Sequence, residues 1–218
     1  MRKIHQHLKE RQRQERENYP QNLGLRVHRA LSWLERAAIE EDLDSQFIFL
    51  WIAFNAAYAT DIDDRKGLAE QGTFNAFIGK LHELDTQQRL DHLVWKAYPS
   101  TIRVLLDNHY VFAPFWEYQK GLKEKNEWED DFAGAKRAAN TALASHNTPV
   151  VLAIVLSRIY VLRNQIVHGG ATWNSSINRA QVRDCVAFMC ELVPLVIEIM
   201  MDSPNTLWGE ANFPPVED

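Results

Sequence analysis

Residues 148–170 read TPVVLAIVLSRIYVLRNQIVHGG, an almost wholly apolar run that ends in hydrogen-bonding and charged groups. Thr148 suits an N-cap, and Pro149 suits the first helical position, where its missing N–H costs nothing. Gly169 and Gly170 suit a left-handed stop. Between these signals the apolar residues fall all round the helix, the pattern of a helix covered by neighbours on several sides. Arg163, Asn164 and His168 are thus carried by what reads as the most buried element, and chemistry is expected at its C-terminal end.

Helical spacing continues on both sides of this stretch. After the polar link ATWNSS, a final helix is predicted from about residue 176 to 201, with Ile177, Val182, Cys185, Phe188, Met189, Leu192 and Val196 on its broad apolar side and a kink at Pro194. Upstream, Leu23, Val27, Ala30, Leu31, Leu34 and Ala38 mark an amphipathic helix from Leu23 to about Glu41. The stretch DSQFIFLWIAFNAAYA (44–59) predicts a second buried helix capped by Asp44, with Asn55 its one strongly polar interior residue. Residues 61–72 read as a charged loop, and 73–96 as helix with a break near Asp85 and Thr86. Pro99 restarts a short helix through Ile102, Leu105 and Leu106. The aromatic run HYVFAPFWEY (109–118) reads first as core packing and second as a base-stacking cluster. Residues 121–131 read as a charged connector and 132–145 as an alanine-rich helix.

Alternating strands and internal repeats are absent from this pattern. The expected fold is all-α, an up-and-down helical bundle with extra helices in the middle of the chain. Residues 21–202 form its single helical domain, and 61–131 can be an inserted helical subregion. Residues 1–20 read first as a polar N-terminal arm, a frayed helix or mobile leader, and second as a basic arm that touches RNA, and 203–218 read as an irregular tail.

Composition narrows the function. With 218 residues, 46% apolar and 24% charged, the chain has ordinary globular make-up, which excludes disorder throughout. The net charge is −5, and residues 1–18 carry +3, which leaves −8 on the remainder and argues against a polyanion-binding surface over the whole molecule. Cys185 and Cys190 give no disulfide framework and read as core thiols in a reducing compartment, the cytoplasm. The start has no secretory pattern, and the apolar runs are interrupted by Asn55 and Arg158, so no membrane partner is expected. Walker, GxGxxG, GxSxG and HExxH motifs are missing, and the scattered histidines draw no metal site, so neither metal nor cofactor is expected.

The Arg163 to His168 segment remains. Asn164 and His168 are four apart and share a helix face, so Asn164 is placed to orient the imidazole. Arg163 stands about 140° from His168 in projection, and its long planar fork can swing to the same mouth to meet a phosphate. Ser157 and Val161 continue the face, which suggests a slot. Two look-alike pairs serve as controls. Arg2 and His7 lie in a polar arm, and Arg103 and His109 are one residue wider, with Val104 where a polar residue is wanted. A purely structural use of Arg163 and His168, as cations at a helix end, stays open.

The segment resembles the signature of the HEPN superfamily (higher eukaryotes and prokaryotes nucleotide-binding), whose ribonuclease members carry Arg, a polar residue, three variable residues and His. Here these are Arg163, Asn164, Gln165-Ile166-Val167 and His168, followed by two glycines. The resemblance extends loosely to the FLWIAFNAAYA helix and the final helix. It implies a metal-independent RNA endonuclease of toxin or phage-defence type, with Arg163, Asn164 and His168 catalytic in a cleft between two copies of the chain. It also implies RNA as substrate and an antitoxin or regulatory protein as a further partner. Some members carry a tyrosine two residues after the histidine, a target of antitoxin modification, where this chain has Gly170. The alternatives are a catalytically silent module that binds a partner protein or nucleotide through the same face, and a purely structural bundle.

Overall fold

Residues 1–20 do not form a loose arm. In the computed structural model, which describes residues 1–58 and 67–210, and side chains outside 67–73, helix α1 (Arg2–Glu15) lies along the bundle with His5, Leu8 and Gln12 buried. Polar composition hides this because one narrow edge is enough for docking. Leu8 enters the core, Arg2 Nε donates to the Ala38 carbonyl at 3.1 Å, and Arg11 Nη1 meets Asp202 at 2.7 Å. Two of the cations that read as a basic leader are therefore engaged within the fold.

The amphipathic segment forms α2 (Gln21–Ile39), and after a three-residue link α3 (Leu43–Tyr58) returns against it as a helical hairpin, the closest packing in the molecule. Asp44 is not the cap of α3. Asp42 Oδ2 accepts from Ser45 N at 2.8 Å, and Asp44 lies inside the first turn. Asn55 is half-buried. Helix α4 (Gly67–Leu84) starts earlier than its apolar spacing suggests, so 67–72 is helical, whereas 61–66 of the expected loop lie outside the described residues. The break near Asp85 is present. The Asp85 carboxylate accepts from Leu90 N at 2.7 Å and pairs with Arg89, launching the short α5 (Arg89–His92) and a wide turn over Leu93–Ala97. Helix α6 (Pro99–Asp107) follows, then a single tight turn over His109–Val111 and α7 (Ala113–Gln119).

Helix α8 spans Lys125–Ala144, so most of the expected charged connector is helical. Glu124 and Glu127 form a reciprocal capping box, with Glu124 N donating to Glu127 Oε2 at 2.6 Å, which supplies the start that charge density obscures. The aromatic run packs between α7 and α8, where Phe115 and Trp128 meet edge to face at 5.1 Å. It forms a half-exposed layer, with none of α7's own residues fully buried. Helix α9 (Thr148–Val167) is capped by Asn147, whose side chain accepts from Val150 N. Thr148 sits one residue inside, buried, accepting from Trp95 Nε1 at 2.7 Å and donating to Asp91. Among the described residues α9 is the one helix long and apolar enough by composition to cross a membrane. Here Leu152, Val155, Leu156, Ile159 and Leu162 pack inward.

Helix α10 (Arg179–Asp202) is more deeply buried than α9 and carries Pro194 within it. It packs on α2 and α3 and is flanked by α1, while α9 lies alongside α3, α4, α6 and α8. Ile177, expected on its apolar side, precedes the helix and is 87% exposed. Residues 203–210 are irregular but docked: Trp208 is buried against Phe77, and the buried Arg26 donates to the Ala57 and Glu210 carbonyls at 2.9 and 2.7 Å. One apolar cluster runs from Leu8 to Trp208, with α4, the residues after it and α6 contributing Ile78, Leu93 and Ile102. Every regular element among the described residues is helical, so the all-α bundle read from the sequence is the fold. Cys185 and Cys190 are free thiols, and burial pushes both upward, Cys190 to about 11.

Two expectations test the docking of α1. Leu8→Ala removes a fully buried side chain and is expected to cost about 2–4 kcal/mol in urea unfolding, whereas a detached arm would show no change. Burial lowers the pKa of His5 below 6.5, outweighing the opposing pull of Glu35. Because the folded state resists that proton, stability is complete above 6.5 and declines as pH falls through that value toward the lower folded one. His5→Leu should flatten the unfolding midpoint between about pH 7 and about pH 5.5.

Candidate functional site

The C-terminal end of α9 places its polar residues at the surface rather than in the core. Arg163 and Asn164 are half-buried and His168 is exposed. His168 is the C-cap, its backbone N–H donating to the Asn164 carbonyl at 3.0 Å. Gly169 then takes φ +70°, the left-handed stop its sequence promises. The reason for the exposure lies in the helix's two sides. Its inner edge packs on the bundle, while Val150, Tyr160 and Val167 on the outer side are 42%, 42% and 48% exposed, so α9 is not covered all round.

The side chains do not pair as expected. Asn164 Oδ1 accepts from Arg163 Nη1 at 2.9 Å, so Asn164 fixes the guanidinium and not the imidazole. The Arg163 guanidinium lies 5.8 Å from the Tyr160 ring, and its buried Nε has no partner. Among the described residues no carboxylate pairs with Arg163, and the His168 ring makes no hydrogen bond. Arg163, Asn164 and Tyr160 are therefore brought together, with His168 on the same end of the helix and free to turn. Gln165 Nε2 donates to the Tyr110 carbonyl at 2.6 Å, which ties this end to the turn before α7. A Cβ at Gly170 would approach the Gln165 carbonyl oxygen at 3.2 Å, so the second glycine allows the chain to fold back tightly.

The loop after the motif is held by α3. Asp44 accepts from Asn174 N at 2.7 Å and from Arg179 Nη2 at 2.7 and 2.8 Å, and Asp42 Oδ1 accepts from Trp173 Nε1 at 3.0 Å. Burial works to raise the Asp42 pKa, but the bonds from Ser45 and Trp173 and the nearby Arg179 outweigh it and hold the carboxyl below its ordinary range. Asp44 and Arg179 thus fix residues 171–178 beside His168. Sequence reading treated Asp44 as a cap, and the only hint of its partner was an arginine at the start of the last helix.

A second feature lies on the same helix. Ser157, Arg158, Tyr160 and Val161 line an open cleft of about 540 Å³ together with Trp51, Phe74, Phe112 and Pro114. The slot expected near Ser157 and Val161 exists, but Arg163, Asn164 and His168 do not line it. Arg158 is 4% exposed, its buried Nε lacks a partner, and its guanidinium lies 4.3 Å from the Phe112 ring. Burial lowers its pKa to about 10. The signal was present in the sequence as the single charge interrupting an apolar run. Among the described residues no group of three His, Cys, Asp or Glu side chains is placed to hold a metal ion.

Comparison of the chain with family models, curated proteins and solved structures finds no match.

An arginine buried with no counter-ion is a cost that its cation–π contact only partly offsets. Arg158→Met, similar in length and free of charge, is expected to raise stability by about 1 kcal/mol in urea unfolding. A clear loss of stability would mean that the guanidinium has a partner that holds the fold.

Proposed function

We propose that the chain is a metal-independent RNA endonuclease of HEPN type, acting at a cleft formed where the α9 ends of two copies meet. The observation that carries this reading is the placement of Arg163, Asn164 and His168. They share one accessible helix end, with no carboxylate paired to Arg163 among the described residues and its Nη1 fixed by Asn164 at 2.9 Å. A guanidinium with one nitrogen anchored and another open suits the oxygens of a phosphodiester. His168 supplies an imidazole that can accept and return a proton.

In this mechanism the imidazole takes the proton of an RNA 2′-hydroxyl, and the 2′-oxygen attacks the adjacent phosphorus. The bond to the 5′-oxygen breaks, that oxygen takes a proton from an imidazolium, and the products are a 2′,3′-cyclic phosphate and a 5′-hydroxyl. Arg163 stabilises the charge that builds on the non-bridging oxygens. DNA lacks the nucleophile and should resist.

Support for a second copy comes from the rim. Val167, Trp173 and Ile177, at 48%, 75% and 87% exposure, lie along or just beyond the end of α9 and leave apolar surface uncovered there. The loop that carries Trp173 is fixed by Asp42 and Asp44, so this surface is preformed. The free thiols and the absence of a disulfide framework suit a reducing compartment such as the cytoplasm. A toxin or defence role, with an antitoxin or regulatory protein as partner, is the setting in which such an enzyme would work. Gly170 stands where some members carry the modified tyrosine, which argues against neutralisation by that route.

Purified protein is expected to cut single-stranded RNA in EDTA and leave 2′,3′-cyclic phosphate ends. His168→Ala should lower the rate by roughly 10²–10⁴-fold and Arg163→Ala by roughly 10²-fold, with unfolding midpoints unchanged. Cutting that survives both substitutions would remove these residues from the mechanism. A folded dimer that leaves RNA intact would instead favour the silent binding module.

A further inference from the structure

The cleft beside α9 differs from the motif end in one respect that points to a ligand. Its wall contains a cation with no answering charge among the described residues. Arg158 is 4% exposed and faces the rings of Phe112 and Phe132, 4.3 and 5.8 Å from its guanidinium carbon. No carboxylate and no carbonyl accepts from it among the described residues, and its Nε is buried without a partner. The other buried arginine among the described residues behaves differently. Arg26 directs its two terminal nitrogens at the Ala57 and Glu210 carbonyls and so has a structural use. Arg158 has none of that kind. A buried, fork-shaped donor in the wall of an open cleft is placed for a planar anion.

The rest of the wall describes what carries that anion. Trp51, Phe74, Phe112, Pro114, Tyr160 and Val161 present rings and apolar surface around a volume of about 540 Å³, within the size range of small-molecule sites. Polar groups on the wall are few, and two of them, Asn75 and Ser157, are exposed. A sugar or a phosphate dianion would leave hydroxyls or a second charge without partners here. A single carboxylate matches one guanidinium in charge and in geometry.

We propose that this cleft binds a small apolar carboxylic acid, its carboxylate paired with Arg158 and its hydrocarbon or aromatic body laid along Trp51, Phe112 and Tyr160. The site is independent of the ribonuclease reading, since Arg163 and His168 do not line it. The two touch through Tyr160, whose ring supports the Arg163 guanidinium at 5.8 Å, so an occupant of the cleft contacts the residue on which Arg163 rests.

The test is calorimetric titration of the full chain with decanoate and with 2-naphthoate, each beside its uncharged counterpart, decan-1-ol or 2-naphthol, with Trp fluorescence as a second readout. At least one acid is expected to bind one to one and about tenfold or more tighter than its counterpart. Arg158→Met should bring acid and alcohol to equal affinity and leave the alcohol unchanged. Ala153→Trp, which fills the cleft and keeps Arg158, should abolish both. Binding of neither acid to the folded wild type, equal affinity for acid and alcohol, or unchanged discrimination in Arg158→Met would each overturn the proposal. Should Arg158→Met fail to fold, the acid and alcohol pair on the wild type still decides the role of charge, and Ala153→Trp still decides the location.

Discussion

The molecule depends on the burial of α10. From Val182 to Met201 this helix places Cys185, Phe188, Met189, Leu192, Val193, Val196 and Ile197 out of reach of solvent, and α2, α3 and α1 are arranged to cover them. Each such side chain contributes on the order of 1.5–3 kcal/mol when fully buried, so no other element of the fold matches its stake. Its ends are fixed by charge. Arg179 is held by Asp44 at the N-terminal side, and at the other end Asp202 receives Arg11 and Arg89 while Glu198 receives Arg89 as well. Those ion pairs are partly exposed and add modest stability, but they set where α1 and α5 dock.

With α10 at the centre, α9 lies toward the flank. One edge of α9 is core, the other faces the cleft or solvent, and this division decides what its polar residues can do. On the inner side Thr148 bridges Trp95 and Asp91, and on the edge facing the cleft Arg158 lies beside aromatic rings. At the open end Asn164 restrains Arg163, and His168 projects without a restraining bond. The helix therefore carries two arginines without counter-ions among the described residues, one exposed enough to meet a large substrate and one reachable only through a cleft. An uncompensated buried cation weakens the fold, so Arg158 makes physical sense as part of a site rather than as packing.

Much of this was legible from residue spacing. The three- and four-residue steps of α2, α4, α6 and α10, the break at Asp85 and the glycine stop at Gly169 all appear close to where the sequence placed them. Helix α1 was missed because an edge made of His5, Leu8 and Gln12 barely differs from a polar arm, and its docking rests on Arg11 reaching Asp202, far away in the chain. The early start of α8 was missed because charge density around Lys125 looked like a connector, although the two glutamates of the capping box were in plain view. The position of Asp44 before an apolar run suggests a cap, because a cap is a local role, whereas its bond to Arg179 joins residues far apart in the chain.

The amino-acid sequence by itself determined that the chain folds as helices, and that Arg163, Asn164 and His168 stand at the end of one of them. It did so because helical periodicity, caps and stops are written in neighbouring residues. Tertiary structure alone decided which edge of α9 is covered, that Asn164 holds Arg163 rather than His168, and that Arg158 opens onto an apolar cleft with no carboxylate beside it among the described residues. Those outcomes depend on which distant helices arrive and what they fail to bring, and no local pattern encodes the absence of a partner.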